Sequence, residues 1–223
     1  MFVAEGPHLL AAAIEHGAPI AACYVGDGAV APAGDWPTWR LEPGVADRIA
    51  DTKSSQGVFT VVRLERLGLA SLTGDLALVG APLNDPGNVG TLLRSALVAG
   101  ASVVGLGAGS VDAYNPKVVR ASAGACFAVP TVEGEPAVTM LEALGAHGVR
   151  RLGATASGGL APEAIDLTQP VAFVLGNETH GLAADLPLDD LVTIPMGGGE
   201  SLNVAMAGTV LLFEAARQRR MAR

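Results

Sequence analysis

The chain has 223 residues, half of them apolar, and its 14 basic and 22 acidic side chains leave a net charge of −8. A chain of this length buries roughly 70% of its unfolded surface without needing a disulfide or metal staple, and its acidity argues against a polyanion binder held on by bulk charge. With 2 Trp, 2 Tyr and 5 Phe, platforms for stacking nucleic-acid bases are also scarce.

Residues 1–66 read as strand and helix in alternation. Pro7 to His16 carries apolar residues at helical spacing and stops at Gly17. Ala21–Val25 is a short strand, 26–38 a loop rich in Gly, Pro and Asp, Val45–Asp51 a short helix, and Gly57–Leu64 a β-branched strand. Leu67–Gly74, with two glycines, is a plausible linker. From residue 75 a strand-then-helix rhythm sets in. Strands are predicted at Leu76–Gly80, Ser102–Leu106, 127–132, 150–155, 171–175 and 191–194. Helices are predicted from about Asn88 to Gly100, over 114–125 and 136–147, and from about Ser201 to Arg219. Such alternation implies a mostly parallel sheet covered on both faces. In these sheets ligands bind beyond the carboxyl ends of the strands.

Several features carry no site. No run of about 18 apolar residues escapes a charge or a breaker cluster, so no membrane span is expected. Met1 to Gly6 has an acid and no basic start, unlike a secretory signal. Cys23 and Cys126 sit far apart in apolar or small-residue surroundings and read as buried thiols. There is no CxxC, HExxH or histidine cluster, so no metal is expected. Gly105-Leu106-Gly107-Ala108-Gly109-Ser110 follows a strand but has Ser110 where a dinucleotide fingerprint needs its third glycine, and Asn115-Pro116 delays the next helix. Asn177-Glu178-Thr179 is a glycosylation sequon without an export signal.

Three loops at strand ends are more informative. Asp85-Pro86-Gly87-Asn88 leads into a helix whose apolar stripe is Leu92, Leu93, Ala96 and Leu97. Arg94 lies roughly 160° around it from Leu92 at 100° per residue, free to face a cleft or simply solvent. Gly176-Asn177-Glu178 ends the strand 171–175, where a glycine lets backbone approach a ligand closely. Ile194-Pro195-Met196 and Gly197-Gly198-Gly199-Glu200 precede Ser201-Leu202-Asn203, with Ser201 the expected N-cap of the last helix. Three consecutive glycines are entropically costly and suggest a loop wrapped around something.

These residues resemble the SpoU/TrmH family of the SPOUT superfamily, S-adenosylmethionine-dependent RNA ribose 2′-O-methyltransferases. The motifs stand here as Asn88-Val-Gly-Thr-Leu-Leu-Arg94-Ser-Ala, Leu175-Gly-Asn-Glu178-Thr-His-Gly-Leu and Ile194-Pro-Met-Gly-Gly-Gly-Glu-Ser201-Leu-Asn203-Val. Tyr114-Asn-Pro-Lys-Val-Val-Arg120-Ala-Ser and Phe213-Glu-Ala-Ala-Arg-Gln-Arg are similar too. Phe2-Val-Ala-Glu5-Gly6 and Asp51-Thr-Lys-Ser-Ser-Gln56-Gly57-Val resemble the family's ribosomal-protein-like substrate-binding domain. One departure is Thr179, where the second motif commonly has glycine. The chain also begins inside the first of these segments, where relatives usually carry a preceding basic helical segment.

The resemblance implies an α/β fold: a small ribosomal-protein-like domain over residues 1–66, a linker at 67–74, and a knotted (trefoil) parallel-sheet methyltransferase domain over 75–223. It implies S-adenosyl-L-methionine as cofactor, lined by Thr155, Ala156, Gly176, Ile194, Met196 and Leu202. The catalytic set it implies is Asn88, Arg94, Glu178, Ser201 and Asn203. An arginine is almost always charged, so Arg94 is expected to clamp a phosphate and stabilise the developing alkoxide rather than to act as base. The implied partners are RNA, ribosomal more readily than transfer RNA, and a second copy in a homodimer, with a cytoplasmic location and neither membrane nor metal. A transfer-RNA enzyme, a catalytically inactive cofactor- and RNA-binding assembly factor and an α/β enzyme for a small molecule remain as alternatives.

Charge counted by segment softens the opening exclusion. Residues 1–74 carry 5 basic and 8 acidic groups, and residues 75–223 carry 9 and 14. Arg94, Lys117, Arg120, Arg217, Arg219, Arg220 and Arg223 supply most of the second set's positive charge, so a locally basic RNA face is compatible with an acidic mean. Weak, salt-sensitive affinity for bare RNA is expected.

Overall fold

A computed structural model of the chain describes residues 1–52, 54–177 and 180–223. It contains two sheets. The first is built from β1 (Phe2–Glu5), β2 (Ile20–Val25), β3 (Thr38–Arg40) and β4 (Val58–Val62), in the order β1-β4-β2-β3. β4 runs antiparallel to both β1 and β2, and β3 joins β2 in parallel. Helix α1 (Pro7–Glu15) starts with proline in its first turn, where the missing N–H costs nothing. It packs Leu10 against Cys23, Val25 and Val58 on one face of this sheet. The other face is covered by α2 (Val45–Ile49), none of whose residues is buried.

The second sheet has six strands, all parallel: β5 (Leu76–Ala81), β6 (Val103–Leu106), β7 (Thr131–Glu133), β8 (Arg150–Ala154), β9 (Val171–Gly176) and β10 (Asp190–Val192), in the order β10-β8-β9-β5-β6-β7. β5 is buried at every position, as a strand covered on both faces must be. Its residues divide by alternation. Leu76 and Leu78 enter one core with Phe173, Leu175, Leu92, Leu93, Leu211 and Leu212. Ala77 and Val79 enter the other with Val174, Met140, Leu141 and Leu144. The first core therefore lies under α3 (Pro86–Ala99), α4 (Pro116–Ala121) and α6 (Val204–Met221), and the second under α5 (Ala137–Ala146). Helix α6 crosses α3 closely, with Ser95 Oγ and Thr209 Oγ1 2.7 Å apart.

The two sheets are not separated by a slack connection. Ala4 and Leu9 belong to the same buried cluster as Leu76, Val89 and Val118. The Phe2 ring lies 4.8 Å from that of Tyr114 and 5.9 Å from that of Phe127. Burial at this junction pushes the Tyr114 hydroxyl up to about 12 and the Cys126 thiol up to about 11. In the stretch expected as a linker, Leu67 pairs with Val132 at the sheet edge and Leu72 is wholly buried.

Several boundaries differ from expectation. β1 and β3 are additional, because four- and three-residue segments show no readable alternation. The strand expected over 127–132 is a short 3-10 turn at Ala125–Phe127 followed by β7. Among the described residues, no helix is long and apolar enough to cross a membrane.

Candidate active site

The carboxyl ends of β8, β9 and β10 converge with the start of α6 around a cavity of about 350 Å3. Hydrogen bonds hold its rim. Thr155 N donates to Val192 O (3.0 Å), Leu160 N to Leu191 O (2.9 Å) and Thr193 N to Leu160 O (2.9 Å). Gly159 N donates to Thr193 Oγ1 at 2.9 Å. Beyond β9 the backbone turns back at once, Asn177 and Gly181 exchanging N–H···O bonds of 3.0 and 2.9 Å. Gly176 is required by this turn: a Cβ there would lie 2.2 Å from the Gly181 carbonyl carbon.

Thr155, Ala156, Gly176, Ile194, Met196 and Leu202 all line this cavity, and so do Ser201 and Asn203. Leu175, Asn177, Val192, Ala207 and Leu211 line it as well, and sequence reasoning did not assign them to the site. Ala207 and Leu211 could have been found, since they follow Asn203 at four-residue steps on α6, one face of a helix. No charged side chain among the described residues lines the cavity.

The helix cap differs from expectation. Asn203, not Ser201, caps α6, its Oδ1 accepting from Ala205 N (2.9 Å) and Met206 N (3.3 Å). Both residue types cap well, and the helix starts two residues later than predicted. The Asn203 amide Nδ2 donates to Asn88 Oδ1 at 3.1 Å. Asn88 does not line the cavity but is joined to it in this way. It sits in the first turn of α3, where Asp85 is the N-cap and accepts from Asn88 N at 2.8 Å. Arg94, also on α3, is exposed and forms no hydrogen bond or ion pair with any described residue. It stands outside the cavity lining. Glu178, with Thr179, lies outside the described residues. Gly197, Gly198 and Gly199 are exposed, and a Cβ at any of them would meet nothing, although Gly199 has a φ of +85°.

The basic face is thinner than the sequence suggests. Arg120 pairs with Asp51 (2.7 Å) and Arg217 with Glu214 (2.8 Å). Arg219 donates to the carbonyls of Leu167, Asp75 and Gln169, tying the C-terminal helix to the start of β5. Lys117, Arg220 and Arg223, like Arg94, are exposed. Among the described residues, no three His, Cys, Asp or Glu side chains are grouped to hold a metal ion.

Comparison with known proteins bears on this geometry. The model of the SpoU rRNA Methylase family matches residues 75–213. The 23S rRNA (guanosine(2553)-2′-O)-methyltransferase RlmP of Bacillus subtilis is 32% identical over 219 residues, 95% of this chain and 87% of that protein. The 23S rRNA (uridine(2479)-2′-O)-methyltransferase of Streptomyces viridochromogenes is 40% identical over 142 residues, 60% of this chain and 50% of that one. The crystal structure of the SpoU methyltransferase AviRb from Streptomyces viridochromogenes in complex with AdoMet superposes with a TM-score of 0.84 at 29% identity, covering 100% of this chain and 91% of that chain. The chain belongs to the SpoU rRNA methylase family.

Proposed function

We propose that this member of the SpoU rRNA methylase family transfers a methyl group from S-adenosylmethionine to a ribose 2′-hydroxyl of ribosomal RNA. The carrying observation is the cavity at the ends of β8, β9 and β10, lined among the described residues by apolar and neutral polar groups. Leu175, Val192, Ile194 and Leu211 offer an apolar wall for a purine face, and the loop ends at Thr155–Ala156 and 194–196 offer backbone groups for ring edges. Among the described residues no cation lines the space to repel a sulfonium. The residues present therefore fit this group. The RNA preference is supported by the Bacillus relative, matched over nearly the whole chain and named for 23S rRNA. Action on ribosomal RNA implies a cytoplasmic location.

S-adenosylmethionine, when bound, supplies an electrophilic methyl group on sulfur. The chain's task is to align a ribose hydroxyl and accommodate its charge as the proton leaves. Arg94, exposed and without a hydrogen bond or ion pair among the described residues, is assigned to the developing alkoxide and the adjacent 3′-phosphate, where a cation stabilises the transition state more than the ground state. Its guanidinium stays charged and cannot take the proton, which passes to a phosphate oxygen or water. Asn88, Glu178 and Ser201 are assigned to orient the ribose, Arg94 and the cofactor tail. Asn203 acts indirectly, since its Oδ1 holds α6 and its Nδ2 holds Asn88.

Three larger features complete the reading. Residues 1–66 form the substrate-binding domain, and residues 75–223 the methyltransferase domain, with 67–74 between them. The C-terminal segment is threaded as a trefoil knot; the bonds of 159–160 to 191–193 around the cavity support this. The protein is a homodimer through α6, where Met206, Val210 and Phe213 lie at helical spacing and are 56%, 44% and 40% exposed.

The test is calorimetry with S-adenosylmethionine, then methyl transfer to unmodified 23S rRNA with mass mapping of 2′-O-methyl groups. Binding and a single modified nucleotide are expected. Absence of binding would overturn the reading, and binding without transfer to ribosomal RNA would favour an inactive assembly factor.

A further inference from the structure

Residues 41–51, including α2, cross the open face of the four-stranded sheet without settling onto it. Between them lies an apolar cavity of about 470 Å3, with Val3, Phe59 and Val61 on the sheet side and Val45 and Ile49 on the cover. A cover that buries none of its own helix residues is not fixed by packing. Its end is fixed by polar bonds. The Asp51 amide donates to Glu5 Oε2 at 2.9 Å, and Thr52 Oγ1 donates to Glu5 Oε1 at 2.6 Å. The Asp51 carboxylate accepts from Arg120 Nη1 at 2.7 Å.

Glu5 belongs to β1, but Arg120 belongs to α4, inside the segment matched by the methylase family model. The pair is 41% and 44% exposed, and exposed pairs of this kind contribute little to stability. What it does is geometric. It joins Asp51, at the end of the cover, to a helix that packs on α3, the helix bearing Arg94.

We infer that Arg120 is a positioning residue for substrate RNA: through Asp51 it sets where the end of the cover at Asp51 and Thr52 stands on the first sheet relative to the methyl-transfer site. This rests on the reading of the chain as an RNA methyltransferase. Recognition by one sheet and chemistry at the other are thereby held in register within one chain.

Hydrogen exchange tests the positioning without RNA. In Arg120→Ala, the hydrogen-bonded amides of Asp51 and Gly57 exchange faster by roughly threefold, while the β4 amides from 59 onward are unchanged. Kinetics on an unmodified 23S rRNA transcript test its purpose. Removing a carboxylate should by bulk charge alone tighten binding to a polyanion. Asp51→Asn is instead expected to raise KM for RNA by roughly three- to tenfold, with kcat at saturating RNA and affinity for S-adenosylmethionine unchanged. The exchanged pair, Arg120→Asp with Asp51→Arg, restores KM. Unchanged exchange in Arg120→Ala overturns the proposal whatever the RNA does. Tighter RNA binding by Asp51→Asn also overturns it, as does a loss in Arg120→Ala that the exchanged pair fails to restore, which would make Arg120 a direct RNA contact. A wild-type protein that binds S-adenosylmethionine but does not modify this RNA fails the functional reading, and the exchange result still judges the positioning.

Discussion

The cavity at the ends of β8, β9 and β10 is walled by three loops that touch one another through backbone, whereas the cavity under residues 41–51 is walled by side chains of a sheet face and its cover. In the first, glycine is obligatory where backbone meets backbone, as at Gly176 against Gly181. In the second, an ion pair and two bonds to Glu5 stand where packing would otherwise act. A site formed by close backbone approach tolerates no added carbon. A cover held by exposed polar bonds tolerates added carbon and is sensitive to charge.

Substitutions at four positions can break or sharpen that contrast. The largest effect is expected outside both cavities. Arg94→Ala should lower kcat by about 10²–10³-fold, the usual cost of one lost transition-state donor. Calorimetry should then find affinity for S-adenosylmethionine near wild type, since Arg94 does not line the cavity; a large loss would place Arg94 on the cofactor side. Gly176→Ala should do the reverse. Its methyl has to displace the Gly181 backbone, so cofactor affinity should drop by about tenfold or more, with roughly 1–3 kcal/mol lost from stability by overpacking. A variant with normal affinity would show that the turn yields freely.

Asn203→Ala should cost about 1 kcal/mol for the lost cap, or about 2–4 °C in Tm for a chain of this size. Asn203→Ser retains a capping oxygen but not the amide that reaches Asn88, so Tm should recover while turnover stays reduced. Recovery of both would reduce Asn203 to a cap. The smallest effect concerns the junction of the sheets. Folding keeps protons on Tyr114 and Cys126 that the unfolded chain releases at its ordinary values of 10 and 9. The unfolded state then binds fewer protons, and stability declines as pH rises from about 9 toward 12. Tyr114→Phe removes one of the two groups and should make the alkaline decline in Tm shallower. An identical decline would show that the Tyr114 environment does not contribute.

The centre of the larger sheet is legible in the sequence because β5 and β9 are six residues long and almost wholly buried. Leu76–Ala81 and Val171–Gly176 are unbroken apolar runs between turn residues. The smaller sheet is less legible. Thr38–Arg40 is exposed throughout and too short to show a period. The cavity residues at 155–156, 176 and 194–202 fall on strand ends that motifs mark. Leu175 and Val192 were missed because apolar residues ending a strand look like core. Arg120 was read as part of a basic face because its partner is 69 residues away in sequence, and no local pattern announces such a pair. Gly176 was recognised as special for an incomplete reason, since sequence shows that a Cβ is unwelcome but not what would meet it.

The strand order has a consequence for synthesis. The first sheet is closed by β4, which ends at Val62, so its pairings are available early. At the centre of the second, Leu76 pairs with Val171, and the partner emerges 95 residues later. At translation rates of roughly 5–20 residues per second, the apolar strand Leu76–Ala81 waits about 5–20 s with one edge unpaired. The nascent chain is therefore most vulnerable to aggregation in that interval, and slowing elongation between residues 81 and 171 should lower the soluble yield more than slowing it before residue 62.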